Sequence, residues 1–295
     1  MNDSLLYTIA GHNILIETKD REATIKLLPS YNDFFAEKSE SNDLLFHFRG
    51  NQNILVPETT PAEELFMEGI NFRVYQTNDV ITVNMKVDDS GNIKDKEHSF
   101  QILTDRKTVI SDLTLQNKYE SQFLAYFIRA AFGILSAYKS TLKIHGSVIE
   151  KDGKALIFLG KSGTGKSTHS RLWLKYVPGC RLLNDDEPLI RIKEDGKVKV
   201  YGAPWSGSTP CYINESADVY AFVHLYQSKE NRLSKISGLK AFTSIYQSSS
   251  VLRSSTMNRN QIISMVNDII DKIPVYRLDN LPDREAVGLT FTLIG

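Results

Sequence analysis

Cysteine is nearly absent from this chain. Cys180 and Cys211 are the only two in 295 residues, and they show no metal-ligand spacing. That excludes a disulfide scaffold and a cysteine-ligated zinc module. An excess of charge of one sign is lacking too, with Lys plus Arg and Asp plus Glu at 35 each. No global field therefore draws the chain to nucleic acid or to an anionic membrane. Long hydrophobic runs are also missing: the longest apolar stretch, 123–138, is interrupted by Arg129 and is too short to span a bilayer. Nothing in residues 1–4 resembles a signal peptide, so both thiols are expected to be reduced, in a cytoplasmic protein.

The length predicts one large or two ordinary domains. Residues 1–115 have β character and no chemical motif. In 80–87, Ile81, Val83, Met85 and Val87 alternate with more polar neighbours, the period of a half-buried strand. Segments 13–18, 44–48, 72–75 and 100–104 predict further strands, and 88–92 (Asp-Asp-Ser-Gly-Asn) predicts a hairpin turn. Residues 118–138 predict a helix whose stripe is Leu124, Phe127, Ile128, Ala131, Phe132 and Leu135. This helix is expected to open the second domain, 116–295.

The motif with the most chemistry is Gly160, Lys161, Ser162, Gly163, Thr164, Gly165, Lys166 and Ser167. It fits the G-x-x-x-x-G-K-[ST] phosphate-binding pattern at every defined position. An apolar strand, 155–159, leads in, and a helix, 168–176 from Thr168 on, leads out. Glycines let successive N–H groups converge on phosphate oxygens, and the helix start adds partial positive charge. The pattern predicts a bound nucleoside triphosphate, with Lys166 on the β/γ-phosphates and Ser167 on Mg²⁺.

Two further groups are expected at the same mouth. Asp152-Gly153 between apolar runs predicts a two-residue hairpin joining 142–150 to 155–159. With Lys151 opposite Lys154, the register sets Ile149 against Leu156, Ser147 against Phe158 and His145 against Gly160. Beyond the loop helix, which Pro178-Gly179 ends, the strand 180–184 returns to the loop's sheet edge, carrying Asp185 and Asp186. The acids are expected on the strand next to the loop strand, as Mg²⁺-binding and proton-accepting groups.

Further on, 189–193, 197–201, 221–225 and 275–278 predict strands, 259–272 a helix, and Asp283 onwards a terminal helix. Gly202, Ala203, Pro204, Trp205, Ser206, Gly207 and Ser208 form a loop suited either to ligand approach or to an ordinary turn. His224 is expected packed. Arg253 and Arg259, in a Ser-rich stretch, are possible phosphate-facing cations.

Together, Ile144-His145-Gly146, the loop from Gly160 to Ser167, and Leu183-Asn184-Asp185-Asp186-Glu187 resemble the core of the HPr kinase/phosphorylase and phosphoenolpyruvate carboxykinase superfamily. The resemblance covers roughly 140–210. It implies an α/β (α+β) core with a mixed sheet flanked by helices, here preceded by a β-rich domain. No Glu-x-Arg-Gly-type segment follows the acid pair; the Gly202 loop stands there, as in HPr-kinase-like proteins associated with modified-peptide biosynthesis. The implied function is an ATP-dependent phosphotransferase acting on a hydroxyl of a peptide, protein or small molecule. Asp185 would be the base, Asp186 with Ser167 would hold Mg²⁺, and His145 would either bond Asp185 or bind the metal. The alternatives are an ATP-binding regulatory module and, disfavoured by length, a carboxykinase-like enzyme.

Overall fold

The computed structural model describes residues 3–37, 43–67, 69–87, 97–207 and 209–295. The turn expected at 88–92, and Ser208 of the glycine-containing loop, lie outside the described residues. The chain divides into two compact units, Met1–Ser136 with Leu252–Thr256, and Ala137–Val251 with Met257–Gly295.

The first unit contains β1 (Asp3–Ile9), β2 (His12–Thr18), α1 (Arg21–Leu27), β3 (Leu44–Arg49), β4 (Glu63–Met67), β5 (Ile70–Thr77), β6 (Val80–Val87), β7 (Glu97–Ile102), β8 (Thr108–Ser111) and α2 (Glu120–Ser136). Its eight strands run in the order β1-β2-β3-β8-β7-β6-β5-β4. Strand β6 matches its predicted span, but from Ile81 to Met85 it is buried on both faces instead of half-buried. Val83 pairs with Phe100, whose ring meets Phe127 of α2 at 4.9 Å. On the other face, buried Asn84 bonds Ser99 at 3.0 Å. The predicted stripe of α2 is wholly buried, at about 1.5–3 kcal/mol per large side chain. That stripe seats on the N-terminal sheet, so α2 lies in the first unit instead of opening the second.

The second unit contains β9 (Thr141–Lys143), β10 (Gly146–Lys151), β11 (Lys154–Leu159), α3 (Lys166–Tyr176), β12 (Arg181–Asp186), β13 (Leu189–Ile192), β14 (Val198–Tyr201), β15 (Ser216–Gln227), β16 (Arg232–Ile236), α4 (Gly238–Ser248), α5 (Thr256–Lys272, entered from Met257), β17 (Val275–Asn280) and α6 (Arg284–Phe291). Its nine-stranded sheet follows β12-β10-β11-β15-β14-β13-β9, with β17 also on β15 and β16 on β17. Strand β11 is buried on both faces. Ala155, Ile157 and Leu159 join a core with Ile245 of α4 and Ile262, Val266 and Ile269 of α5. Leu156 and Phe158 join another with Trp173 of α3 and Val287 of α6. The result is a three-layer α/β arrangement with a mixed sheet, the expected fold class.

The hairpin register is as derived, Lys151 on Lys154, Ile149 on Leu156 and Ser147 on Phe158. Two placements differ. Residues 142–150 are not one strand, because the chain breaks at Ile144–His145 and β9 pairs with β13 at the far end of the sheet. Nor is β12 next to β11. Strand β10 lies between them, antiparallel to both, so the acids share the loop's sheet edge without sharing its ladder.

Candidate functional site

The glycine-rich loop leaves β11 at Gly160, whose φ of 145° is open to glycine alone. An added Cβ there would stand 2.5 Å from Thr164 Oγ1. The loop enters α3 through Gly165, a left-handed N-cap with φ of 101°. Inside the curl, Lys166 Nζ donates to the carbonyls of Gly160 at 2.9 Å and Lys161 at 3.3 Å. Burial lowers the Lys166 pKa, opposed by the carboxylates of Asp186 and Asp185. Lys161, Ser162, Gly163 and Thr168 are exposed. A Cβ at Gly163 or Gly165 would meet nothing within 4 Å, so the cradle is open on that side.

Ser167 Oγ, on the first turn of α3, donates to Asp185 Oδ1 at 2.9 Å. The helix is held to the middle strand by Ser170 and Ser147, whose hydroxyls lie 2.6 Å apart. Asp185 is buried and Asp186 half-buried. The His145 imidazole lies 3.3 Å from Asp186 Oδ1 through Nδ1. The sequence predicts His145 opposite Gly160, with Asp185 or a metal as its partner. The β10–β11 ladder instead ends at Ser147, and His145 sits in the break before β10. That break is pinned by His145 N to Ser248 O at 2.6 Å and Ile144 N to Pro188 O at 3.2 Å.

Further residues surround the loop and the acid pair at this edge. Lys143, just before the break, and Glu187, just after β12, form an ion pair at 2.6 Å in which the lysine is buried and the glutamate half-buried. The loop from Gly202 lies on the acid strand. Trp205 Nε1 donates to Glu187 O at 2.8 Å, Asn184 Nδ2 donates to Trp205 O at 3.0 Å, and Gly207 N donates to Asp185 O at 2.7 Å. On the opposite flank, Gln227 Nε2 donates to Gly163 O at 3.1 Å. Gln227 was legible only through the parallel pairing of β15 on β11, which brings the strand's end to the loop. His224 is packed as expected, with Nδ1 2.7 Å from Ser244 Oγ. Arg253 belongs to the segment of the first unit, and Arg259 lies in the first turn of α5.

Both cysteines are free, and burial pushes Cys211 up to about 11. Among the described residues, no group of three or more His, Cys, Asp or Glu could by itself hold a metal. Ser167 beside a carboxylate at an open cradle suits Mg²⁺, which takes one or two carboxylates and completes its shell with phosphate and water. Among the described residues, no helix is long and apolar enough to cross a membrane.

Fold and site define a three-layer α/β protein built around a strand, a glycine-rich loop and a helix start. The family model for the SynChlorMet cassette protein ScmC matches residues 120–281, more than half of the chain, and the chain belongs to that family. No curated protein matches. Among solved structures, the chain is similar to the HPr(Ser) kinase/phosphatase from Coxiella burnetii, at 12% identity and a TM-score of 0.31, over 52% of this chain and 87% of that one.

Proposed function

We propose that this protein is a kinase that transfers the γ-phosphoryl group of ATP, or another nucleoside triphosphate, to a hydroxyl of a peptide, protein or small molecule. The observation that carries the reading is the contact of Ser167 with Asp185 beside the glycine-rich loop, with Asp186 and His145 alongside. Binding of a nucleotide alone needs no second acid with a histidine partner.

The loop amides and Lys166 hold the triphosphate, and Lys166 neutralises charge on the oxygens between the transferred and leaving groups. Bound Mg²⁺ would add further charge neutralisation, held by Ser167 and Asp185, since the acid that shares the loop serine is the one suited to the metal. Asp186 then takes the proton of the acceptor hydroxyl, and that oxygen forms the new bond to phosphorus as the bond to the nucleoside diphosphate breaks. His145 orients the Asp186 carboxylate. These roles of the two acids are the reverse of those the family resemblance implies, because Ser167 lies on Asp185.

Incubation with γ-labelled ATP, Mg²⁺ and fractionated extract of the source cells tests the reading. Label should move to a hydroxyl-bearing product that mass spectrometry identifies. Nucleotide binding with no transfer to any fraction would reduce the protein to a nucleotide-binding module.

A further inference from the structure

On the flank of the loop away from the acids, three planar side chains stand together. His224 stacks on Tyr226, with ring centroids 4.8 Å apart and planes at 22°. The Arg277 guanidinium lies over the Tyr226 ring at 4.1 Å. Each outer member is fixed: His224 by Ser244, and Arg277 by Asp279, which accepts from Nε and Nη2 at 2.6–3.1 Å. An ion pair this close in sequence on a surface strand adds little stability by itself. This one locks a guanidinium plane, while the Arg277 side chain stays 46% exposed.

The register places the cluster relative to the loop. Leu159, the residue before Gly160, pairs with His224, and His224 pairs with Arg277. The three residues form one line across parallel strands whose carboxyl ends share a sheet edge, where open α/β sheets take their ligands. Arg277 is two strand spacings, roughly 10 Å, from the strand feeding the loop. Gln227, next to Tyr226, touches the loop at Gly163. With the acid pair on the other flank, the reacting phosphoryl group faces β12 and the rest of the nucleotide leads toward β15 and β17. Asp279 neutralises Arg277, so the guanidinium offers a flat stacking face more than a free charge for phosphate.

We infer that the exposed face of Arg277, backed by Tyr226 and His224, is the platform on which the nucleobase stacks. The inference rests on the reading of Gly160 to Ser167 as a triphosphate site. Stacking supplies affinity without choosing among bases, since every base has a π-face. ATP and GTP should therefore depend on the platform equally.

The experiment measures binding of ATP, GTP and inorganic tripolyphosphate, with Mg²⁺, to the full chain and to Arg277→Ala and Arg277→Lys. Arg277→Ala should weaken ATP and GTP by roughly tenfold and leave tripolyphosphate unchanged. Arg277→Lys, which keeps the charge and loses the plane, should not restore binding. Tyr226→Leu should repeat the pattern if the arginine variants unfold. Equal weakening of tripolyphosphate, unchanged ATP binding, or full rescue by lysine would each overturn the platform. The triphosphate reading fails separately: wild-type protein would then bind none of the three ligands, and the platform would fall with it. Absence of phosphoryl transfer leaves these binding results standing.

Discussion

Ser167 and Asp185 meet at 2.9 Å although the strand that carries Asp185 lies two ladders away from the strand that feeds the loop. This contact, set against the His145–Asp186 pair, divides two adjacent carboxylates into different surroundings.

The division predicts different phenotypes. Asp186→Asn should keep ATP affinity within about threefold and lower transfer by roughly 10²–10⁴-fold, the contribution of a positioned base. Asp185→Asn should raise the Mg²⁺ concentration needed for half-maximal transfer and recover partly at high Mg²⁺. Titrations of Mg²⁺ at saturating ATP check both. Loss of transfer in Asp185→Asn that Mg²⁺ does not relieve, with Asp186→Asn active, would restore the opposite roles.

Burial of Lys166 carries a cost to the fold. Burial holds its pKa below the ordinary lysine value, so the folded state binds this proton less tightly than the unfolded chain does. The charged form therefore opposes folding at neutral pH. Lys166→Met should raise the thermal midpoint while lowering transfer by about 10²–10³-fold. Calorimetry beside the transfer assay reads the two effects; a lower midpoint would contradict the first.

His169 gives acid sensitivity away from the chemistry. Its Nε2 lies 3.2 Å from Thr290 Oγ1, its Nδ1 lacks a hydrogen-bond partner among the described residues, and burial depresses its pKa from 6.5 to about 4. Between those values the unfolded chain binds a proton that the folded chain refuses, so stability rises with pH across that window. Acidification from about pH 6.5 to 4 should cost roughly 3 kcal/mol through this residue. Urea titrations along that range should show a flatter acid limb in His169→Leu.

The loop from Gly202 can be tested by two added methyls. A Cβ at Gly207 would stand 2.8 Å from Asp185 O, and one at Gly202 would stand 2.0 Å from Ile213 O. Gly202→Ala should destabilise by about 1–3 kcal/mol or more, because backbone must move. Gly207→Ala should shift the end of β12 and reduce transfer more than stability. Equal transfer in Gly207→Ala and wild type would remove the loop's bracing role.

Local chemistry was legible in the sequence. Asp152-Gly153 set the β10–β11 register to the residue, and the glycine pattern with its flanks located the loop. The order of strands was less legible. A strand–helix–strand unit reads the same whether its strands touch or admit a third between them, and only tertiary pairing places β10 in that gap. His145 departed from its expected partner because a hairpin register holds only while the ladder continues, and the backbone bonds to Ser248 and Pro188 end it. Gln227, Tyr226 and Arg277 are single residues near strand ends. They carry no spacing signal until β15 and β17 are aligned on β11.

The intervening strand β10 has a mechanical consequence. Ser147 is paired at once with Phe158 before the loop and with Asp185 on the acid strand. Sliding β11 against β12 would break two ladders together, so the gap between the loop and Asp185 behaves as a fixed gauge. A site with such a gauge cannot tighten by shear of its sheet. Any narrowing falls to segments outside both ladders, such as the exposed loop residues Lys161, Ser162 and Gly163.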